Sequence, residues 1–554
     1  MSRQRKKQSP IVREKSVLFG FAVQTRSADG RIRISLRWSR LFAAMAGLFV
    51  AGWLTVAAAL YFYFKYSQDF DTVTYSGMVA LPFRMDAHRE AMGNRHVEKG
   101  LEKLNEREFR EGLRLLRLGV RRAPDNLEGR AVLGAIFEQS LNSPEASAEL
   151  MLKGLEHGGS EDQDYLKQTI RLLLRHQMDD KIRDMAATYL PEDPEPTRRN
   201  AILALGAANA GYARGHFDEA EDYINAYELE QALEGMLLSS KISWERGNRK
   251  EAISKLEQSL GRFPERGALL MQLTRYHREI GNNDEARRYA ILRSVDDPLS
   301  HAPRIELLHI YEASGATERK QRETRRILRQ FRNDASALEA LANFAASTGD
   351  IALARRTYEQ ALGKEFDLDT FALLLIEAHI KAEDYQGALA FAEELREEQP
   401  RWLNRRKVIF NSLRAVASYG AGDPDLGEIY LQDFLNNAGD NPNLFLPVAQ
   451  HFIGIDRKAQ ARKVLMAGHK RNPKNQRLLT ELVRTELALG NTSELNSLLN
   501  RLLQMRRPET ELLAEAYQKL GSDRFIFTLD RKALLAKLNS ALRENNTDLP
   551  SIDS

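Results

Sequence analysis

The longest apolar run in the chain lies near its N-terminus. Residues 41–64 (LFAAMAGLFVAGWLTVAAALYFYF) contain no charged side chain. At about 1.5 Å per residue, a helix of this length crosses a hydrocarbon core of roughly 30 Å. The run starts late for a signal peptide, and no small-residue cleavage site follows its aromatic end. The pattern therefore predicts one retained transmembrane helix over residues 41–64.

The charges on either side of this run predict its orientation. Four arginines lie within residues 31–40, whereas Lys65 is followed by Asp69 and Asp71. Because positively charged flanks stay in the cytoplasm, residues 1–40 are expected there and the rest of the chain on the far side, as in a periplasm. Residues 1–40 hold 11 Lys or Arg and only two acids. They read either as a short hairpin around residues 28–30 or as a disordered basic tail drawn to anionic lipids.

After a linker at residues 65–94, small residues recur every 34 positions in a helical background. The glycines that show this step most clearly are Gly247, Gly281, Gly315 and Gly349. Alanines keep the same step shortly afterwards, at Ala252, Ala286, Ala354 and Ala388, with one gap at Lys320. A glycine lets the chain turn between two antiparallel helices, and a small alanine lets those helices approach closely.

The stretches 246–264 (RGNRKEAISKLEQSLGRFP) and 348–363 (TGDIALARRTYEQALG) resemble the second half of a tetratricopeptide unit. The resemblance implies an all-α, right-handed solenoid of about twelve helix pairs over residues 95–508. Capping helices would follow at 509–543 and a disordered tail at 544–554. The phase slips near Pro144 and Gly422, so the units at 160–200 and 402–440 are the most degenerate.

Composition and motifs exclude several kinds of catalytic and binding site. The chain has no cysteine, which excludes disulfides, thiol nucleophiles and cysteine metal sites. Its 11 histidines show no ligand spacing, and neither a phosphate-binding glycine loop nor a GxSxG elbow occurs. The net charge of +4 resides in the basic tail and leaves no basic body for nucleic acid. We therefore expect no enzymatic activity, no cofactor, no metal, no small-molecule substrate and no nucleic-acid partner.

The resemblance also implies where a protein partner binds. In the family, the first helices of successive units line a concave groove that takes a helix or an extended segment. The inward-pointing ninth positions of five units form a polar series: Lys241, Arg275, His309, Asn343 and Glu377. Separately, one second helix carries a basic stripe with spacing i, i+3, i+4, i+7: Arg322, Arg325, Arg326 and Arg329. The stripe is either a solvated outer face or a contact for anionic ligands.

These features predict a membrane-anchored scaffold that binds protein partners, in the assembly of a bacterial envelope, export or secretion complex. A regulatory subunit of a membrane-bound glycan or polysaccharide synthase is the alternative reading. An enzyme with an unrecognised site is the third.

Overall fold

A computed structural model describes residues 14–26, 32–67, 70, 73–398, 400–439 and 441–544. The first part of the basic tail, the turn at residues 28–30, Asp69, Asp71 and the C-terminal tail from residue 545 lie outside these ranges. The chain divides into two compact units, residues 1–172 and 173–554.

Unit 1 begins with a three-stranded antiparallel sheet in the order β1 (Glu14–Val17), β2 (Ala22–Arg26), β3 (Ile32–Leu36). Apolar and polar residues alternate along β3, which pairs with β2 from Ala22↔Leu36 to Arg26↔Ile32. Helix α1 (Trp38–Phe62) follows and continues as a π-helical turn to Ser67. It is long and apolar enough to cross a membrane, and its side chains are almost wholly exposed.

All remaining elements among the described residues are helical. Those up to the unit boundary are α2 (Tyr75–Val79), α3 (Met85–Asn105), α4 (Phe109–Arg122), α5 (Leu127–Ala135), α6 (Pro144–Gly154) and α7 (Gln163–Arg175), which crosses it. Those that follow are α8 (Asp179–Tyr189), α9 (Arg198–Arg214), α10 (Phe217–Ala226), α11 (Leu233–Glu245), α12 (Arg249–Ser259), α13 (Gly267–Glu279), α14 (Asn283–Asp296), α15 (Ala302–Ala313), α16 (Thr317–Gln330), α17 (Ala335–Thr348), α18 (Ile351–Gly363), α19 (Asp369–Lys381), α20 (Tyr385–Glu398), α21 (Leu403–Gly420), α22 (Pro424–Asn437), α23 (Pro442–Gly454), α24 (Lys458–Arg471), α25 (Gln476–Leu489), α26 (Leu495–Leu503), α27 (Thr510–Gly521) and α28 (Arg531–Glu544).

A residue in the left-handed conformation marks the turn inside every helix pair from α3/α4 to α25/α26. These twelve residues are Arg107, Asn142, Gln177, Gly215, Gly247, Gly281, Gly315, Gly349, Glu383, Gly422, Asp456 and Gly490. The 34-residue step runs unbroken from Gly247 to Glu383, although the last turn has no glycine, and again from Gly422 to Gly490. The prediction of an all-α solenoid of about twelve helix pairs is confirmed.

The step lengthens most at two places, whereas the other steps outside these runs are 35, 35 and 32 residues. Gln177 and Gly215 are 38 residues apart because a Pro- and Glu-rich loop separates α8 from α9, and Glu383 and Gly422 are 39 apart because α21 has 18 residues. These are the segments in which the sequence repeat is weakest.

Helix α17 shows how the sequence builds one element. The Asp334 carboxylate accepts hydrogen bonds from the backbone N–H groups of Ser336 (3.0 Å) and Ala337 (3.2 Å), so it caps the helix N-terminus. Gly349, at φ +73°, ends the helix. Between them, Leu341 and Phe344 are buried in a core that continues through the later pairs.

Glycines also set the spacing of α3 and α4. A Cβ on Gly93 would lie 2.5 Å from the backbone nitrogen of Ala123, and one on Gly119 would lie 2.8 Å from that of Val97. The two helices are therefore packed backbone to backbone along the middle of α3, from Gly93 to Gly100. Helix α3 begins at Met85, within the segment predicted to be a linker.

Candidate functional site

Among the pairs of unit 2, the first helices from α15 onward lie on the inner side of the array. Successive first helices from α15 to α25 pack directly on one another, whereas the second helices between them do not pack together to a comparable extent. Elements that lie closer together occupy the inside of a curved stack. The five predicted groove residues all lie on first helices, one each on α11, α13, α15, α17 and α19.

Two of these residues, Lys241 and Arg275, interact electrostatically. Lys241 is half-buried, and burial together with the charge of Arg275 lowers its pKa. Arg275 is exposed and forms an ion pair with Glu279 at 2.7 Å. Lys241 thus lies near a second cation, and of the two only Arg275 forms an ion pair with a carboxylate among the described residues.

His309 belongs to the wall between two first helices. Its ring meets the Phe344 ring edge to face, with the centroids 4.9 Å apart. Burial and the charge of Arg278 lower the pKa of His309. The imidazole is therefore neutral near pH 7 and contributes shape and hydrogen bonding instead of charge.

The remaining two residues of the series differ in their surroundings. Asn343 is exposed on α17. Glu377 lies 3.8 Å from the imidazole of His451 on α23, two pairs further along. The structure thus brings Lys241 and Arg275 together, but it does not gather all five side chains into one cluster.

The basic stripe lies on α16, a second helix, and therefore on the outer side. Its four arginines are exposed, and no ion pair to any of them is formed within the described part of the chain. The carboxylate of Glu323 on the same helix is turned inward and binds the buried Arg304 at 2.8 Å. The stripe is thus a strip of uncompensated positive charge.

A feature that the sequence did not indicate is a loop that joins the two ends of unit 2. Residues 504–510 between α26 and α27, which we call the closing loop, reach back to the turns of the first pairs of the unit. Asp179 at the start of α8 is fully buried. The Arg506 guanidinium donates two hydrogen bonds to the Asp179 carboxylate, from Nη2 to Oδ1 (2.7 Å) and from Nε to Oδ2 (3.0 Å). Arg214 Nε also donates to Oδ2, at 3.0 Å.

Further contacts fix the same junction. The backbone N–H of Arg507 donates to the carbonyl of Ala213 at 2.9 Å, and its guanidinium binds Glu245 at 2.9 Å. The guanidinium also lies over the ring of Phe217, 4.9 Å from the centroid. A cleft of about 680 Å³ opens beside the closing loop, with Tyr212 in its wall. Burial and the charge of Glu245 raise the pKa of Tyr212 to about 12, so this wall carries a neutral phenol.

These contacts close unit 2 on itself, since residues more than 300 positions apart in sequence become neighbours. No local sequence pattern predicts these long-range contacts. In the sequence, Asp179 looks like an ordinary acidic residue in the first turn of a helix, and Arg506 looks like a surface cation. A single sequence offers no signal that would pair them. Within the described residues, no three side chains of metal-binding type come together.

Of the three comparisons with known proteins, only the one with solved structures found matches. No family model matches the chain, and no curated protein matches it. Solved structures that resemble it include a tetratricopeptide repeat protein from Parabacteroides merdae ATCC 43184, at 15% identity, covering 46% of this chain and 98% of that one, with a TM-score of 0.28. Naa15/Naa10 bound to HypK-THB matches at 14% identity over 90% of this chain and 76% of that one, with a TM-score of 0.30. The TPR domain of P58(IPK) matches at 14% identity over 73% and 99%, with a TM-score of 0.19.

Proposed function

We propose that the chain is a membrane-anchored, non-catalytic scaffold whose inner face in unit 2 holds a segment of a protein partner. The observation that supports this most directly is the pair of neighbouring cations on that face, Lys241 and Arg275. They would attract an acidic stretch of a helix or of an extended segment. The neighbouring neutral groups, His309 and Asn343, would accept or donate hydrogen bonds without adding charge.

Helix α1 supports the anchor. Its apolar side chains are exposed along nearly the whole helix, which water disfavours and lipid does not. In this proposal the basic residues before α1 remain in the cytoplasm and unit 2 lies outside it. The partners would belong to an envelope, export or secretion complex of a bacterium.

A photocrosslinking experiment tests the inner face. A benzophenone amino acid is placed at Met271, one turn before Arg275 on α13, or at Asn343, both on the proposed inner side, and at Glu359 of α18 as an exposed control on the other side. We expect the inner positions to capture the same proteins and the outer position to capture none of them. Equal capture from both sides would contradict the proposal, as would no capture at all.

The identity of the captured proteins separates two roles. Several soluble or secretion components indicate a scaffold, whereas one stoichiometric integral enzyme indicates a regulatory subunit. Protease digestion of intact spheroplasts tests the topology: unit 2 should be digested and the N-terminal tail protected. Protection of unit 2 would place it in the cytoplasm.

A further inference from the structure

The segment that follows α1 turns back along it. Residues 73–83 (VTYSGMVALPF), which we call the return segment, contain no charged side chain. Val73 and Met78 are buried in a small cluster together with Ala57, which lies in the second half of α1. The Tyr75 ring packs edge to face on Tyr61, with the centroids 6.4 Å apart. This apolar segment thus covers one side of the predicted membrane helix.

Polar groups of the two elements are paired with each other. The Trp53 indole N–H donates to the carbonyl of Val79 at 2.8 Å, and the Tyr75 hydroxyl donates to the carbonyl of Leu54 at 3.2 Å. Within the return segment, the Thr74 hydroxyl accepts the backbone N–H of Gly77 at 3.2 Å. Val79 is the last residue of α2, so its carbonyl receives no hydrogen bond from a following turn of that helix. In water such pairings are optional, but in hydrocarbon an unpaired indole or peptide group is costly.

The depth of these contacts along α1 is substantial. Trp53 precedes Lys65, the first charge after the apolar run, by 12 residues, or about 18 Å along a helix axis. Half the thickness of a hydrocarbon core is about 15 Å. If α1 spans the bilayer, the carbonyl of Val79 therefore lies well below the headgroups.

The outward side of the return segment carries no charge, and its two exposed hydroxyls, those of Thr74 and Ser76, lie 3.3 Å from each other. Phe83 is 92% exposed and Tyr75 42% exposed. Charges begin again only at Arg84, where a long side chain can extend to the interface. Four backbone N–H groups donate to carbonyls of Phe70 or of the segment itself, those of Val73, Met78, Ala80 and Phe83. The segment is therefore uncharged and has these groups paired within the protein, as hydrocarbon requires.

We propose that residues 73–83 form a second membrane-embedded element, which re-enters the bilayer beside α1 and contacts lipid acyl chains. The chain would then hold the membrane through a helix and a re-entrant turn. The inference rests on the proposed function, because it requires α1 to be the anchor. The return segment would stiffen the exit from the membrane and fix the direction in which α3 leaves it.

The absence of cysteine makes a direct test possible without background labelling. Single cysteines are introduced into the full chain at four exposed positions: Phe49 in α1, Ser76 and Phe83 in the return segment, and Glu106 beyond α3. Ser76→Cys is nearly isosteric, so it leaves the fold undisturbed. Each variant is reconstituted in lipid nanodiscs and treated with a charged, membrane-impermeant maleimide.

We expect Ser76→Cys and Phe83→Cys to react at least tenfold more slowly than Glu106→Cys, as Phe49→Cys does, and all four to react alike after unfolding in SDS. Rapid labelling at residues 76 and 83 with protection at 49 would overturn the inference and leave the anchor intact. Rapid labelling at all positions would refute the anchor itself, and the inference with it.

A spin label at residue 76, attached before reconstitution, separates lipid from a protein cover. In lipid, collisions with oxygen are frequent and collisions with a polar nickel chelate are rare. Low accessibility to both reagents would mean that protein covers the segment, and this outcome would also overturn the proposal.

Discussion

The turn inside the α13/α14 pair offers a clean test of why glycine recurs at the 34-residue step. Gly281 has φ +75°, and a Cβ placed on it would meet no atom within 4 Å. Gly281→Ala therefore changes the backbone preference without creating a clash. Holding an L-residue in the left-handed region costs about 1–2 kcal/mol. Reduced freedom of the unfolded chain returns roughly 0.4–1 kcal/mol.

The expected net loss is thus about 1 kcal/mol. The reverse change is expected at Glu383, which occupies the same turn of a later pair at φ +60°. Glu383→Gly relieves the strain and should stabilise the pair by roughly 0.5–1 kcal/mol. Gly261→Ala is the matched control, because its Cβ also meets nothing within 4 Å but its φ is not positive. It should be neutral or slightly stabilising.

Amide hydrogen exchange of the helices beside each turn measures these changes. Global unfolding is a poor readout, because a solenoid unfolds in parts and stability varies along it. A change of 1 kcal/mol alters the rate of exchange through local opening about fivefold. If Gly281→Ala and Gly261→Ala behave alike, backbone strain does not explain the repeat. If Glu383→Gly accelerates exchange in α19 and α20, the sign of the argument is wrong.

Three further outcomes are expected. Arg506→Ala leaves the buried carboxylate of Asp179 with one cation, so amide exchange at the start of α8 and in the closing loop should accelerate by an amount equivalent to about 3 kcal/mol. Arg506→Lys should restore only part of the lost protection, because lysine cannot make the bidentate contact. Full restoration by Arg506→Lys would contradict the bidentate role of Arg506. Gly93→Ala should destabilise the α3/α4 pair by about 1–3 kcal/mol, because the new methyl meets backbone; thermal melting by circular dichroism should show an earlier loss of helix, and an unchanged melt would mean that the pair can spread apart. Hydrogen bonds, the strongest from Tyr419, depress the pKa of Glu428 to about 2. The ionised carboxylate therefore contributes its full stabilisation above pH 4.5 and loses it as the pH falls toward 2. In acid titrations of stability, Glu428→Gln should remove the part of the pH dependence that Glu428 causes.

Much of the architecture could be predicted from the sequence because the signals are local. An uncharged run of 24 residues identifies α1, and a glycine at seven of the twelve turns identifies the helix pairs. Where the turn residue is not glycine, as at Glu383 and Asp456, the repeat was harder to read. Packing of the flanking helices imposes the left-handed conformation there at an energetic cost that composition does not reveal.

The sequence by itself determined the period and the approximate number of pairs, because a helix pair of constant length returns the same residue type at the same step; that Lys241 and Arg275 face a partner stays a prediction. Only the tertiary structure decided that the closing loop binds Asp179 and that the return segment lies against α1. The first joins residues 327 positions apart, and the second depends on one indole N–H finding one carbonyl. Such pairings follow from the accumulated curvature and rotation of many helices, and no single spacing along the chain encodes them.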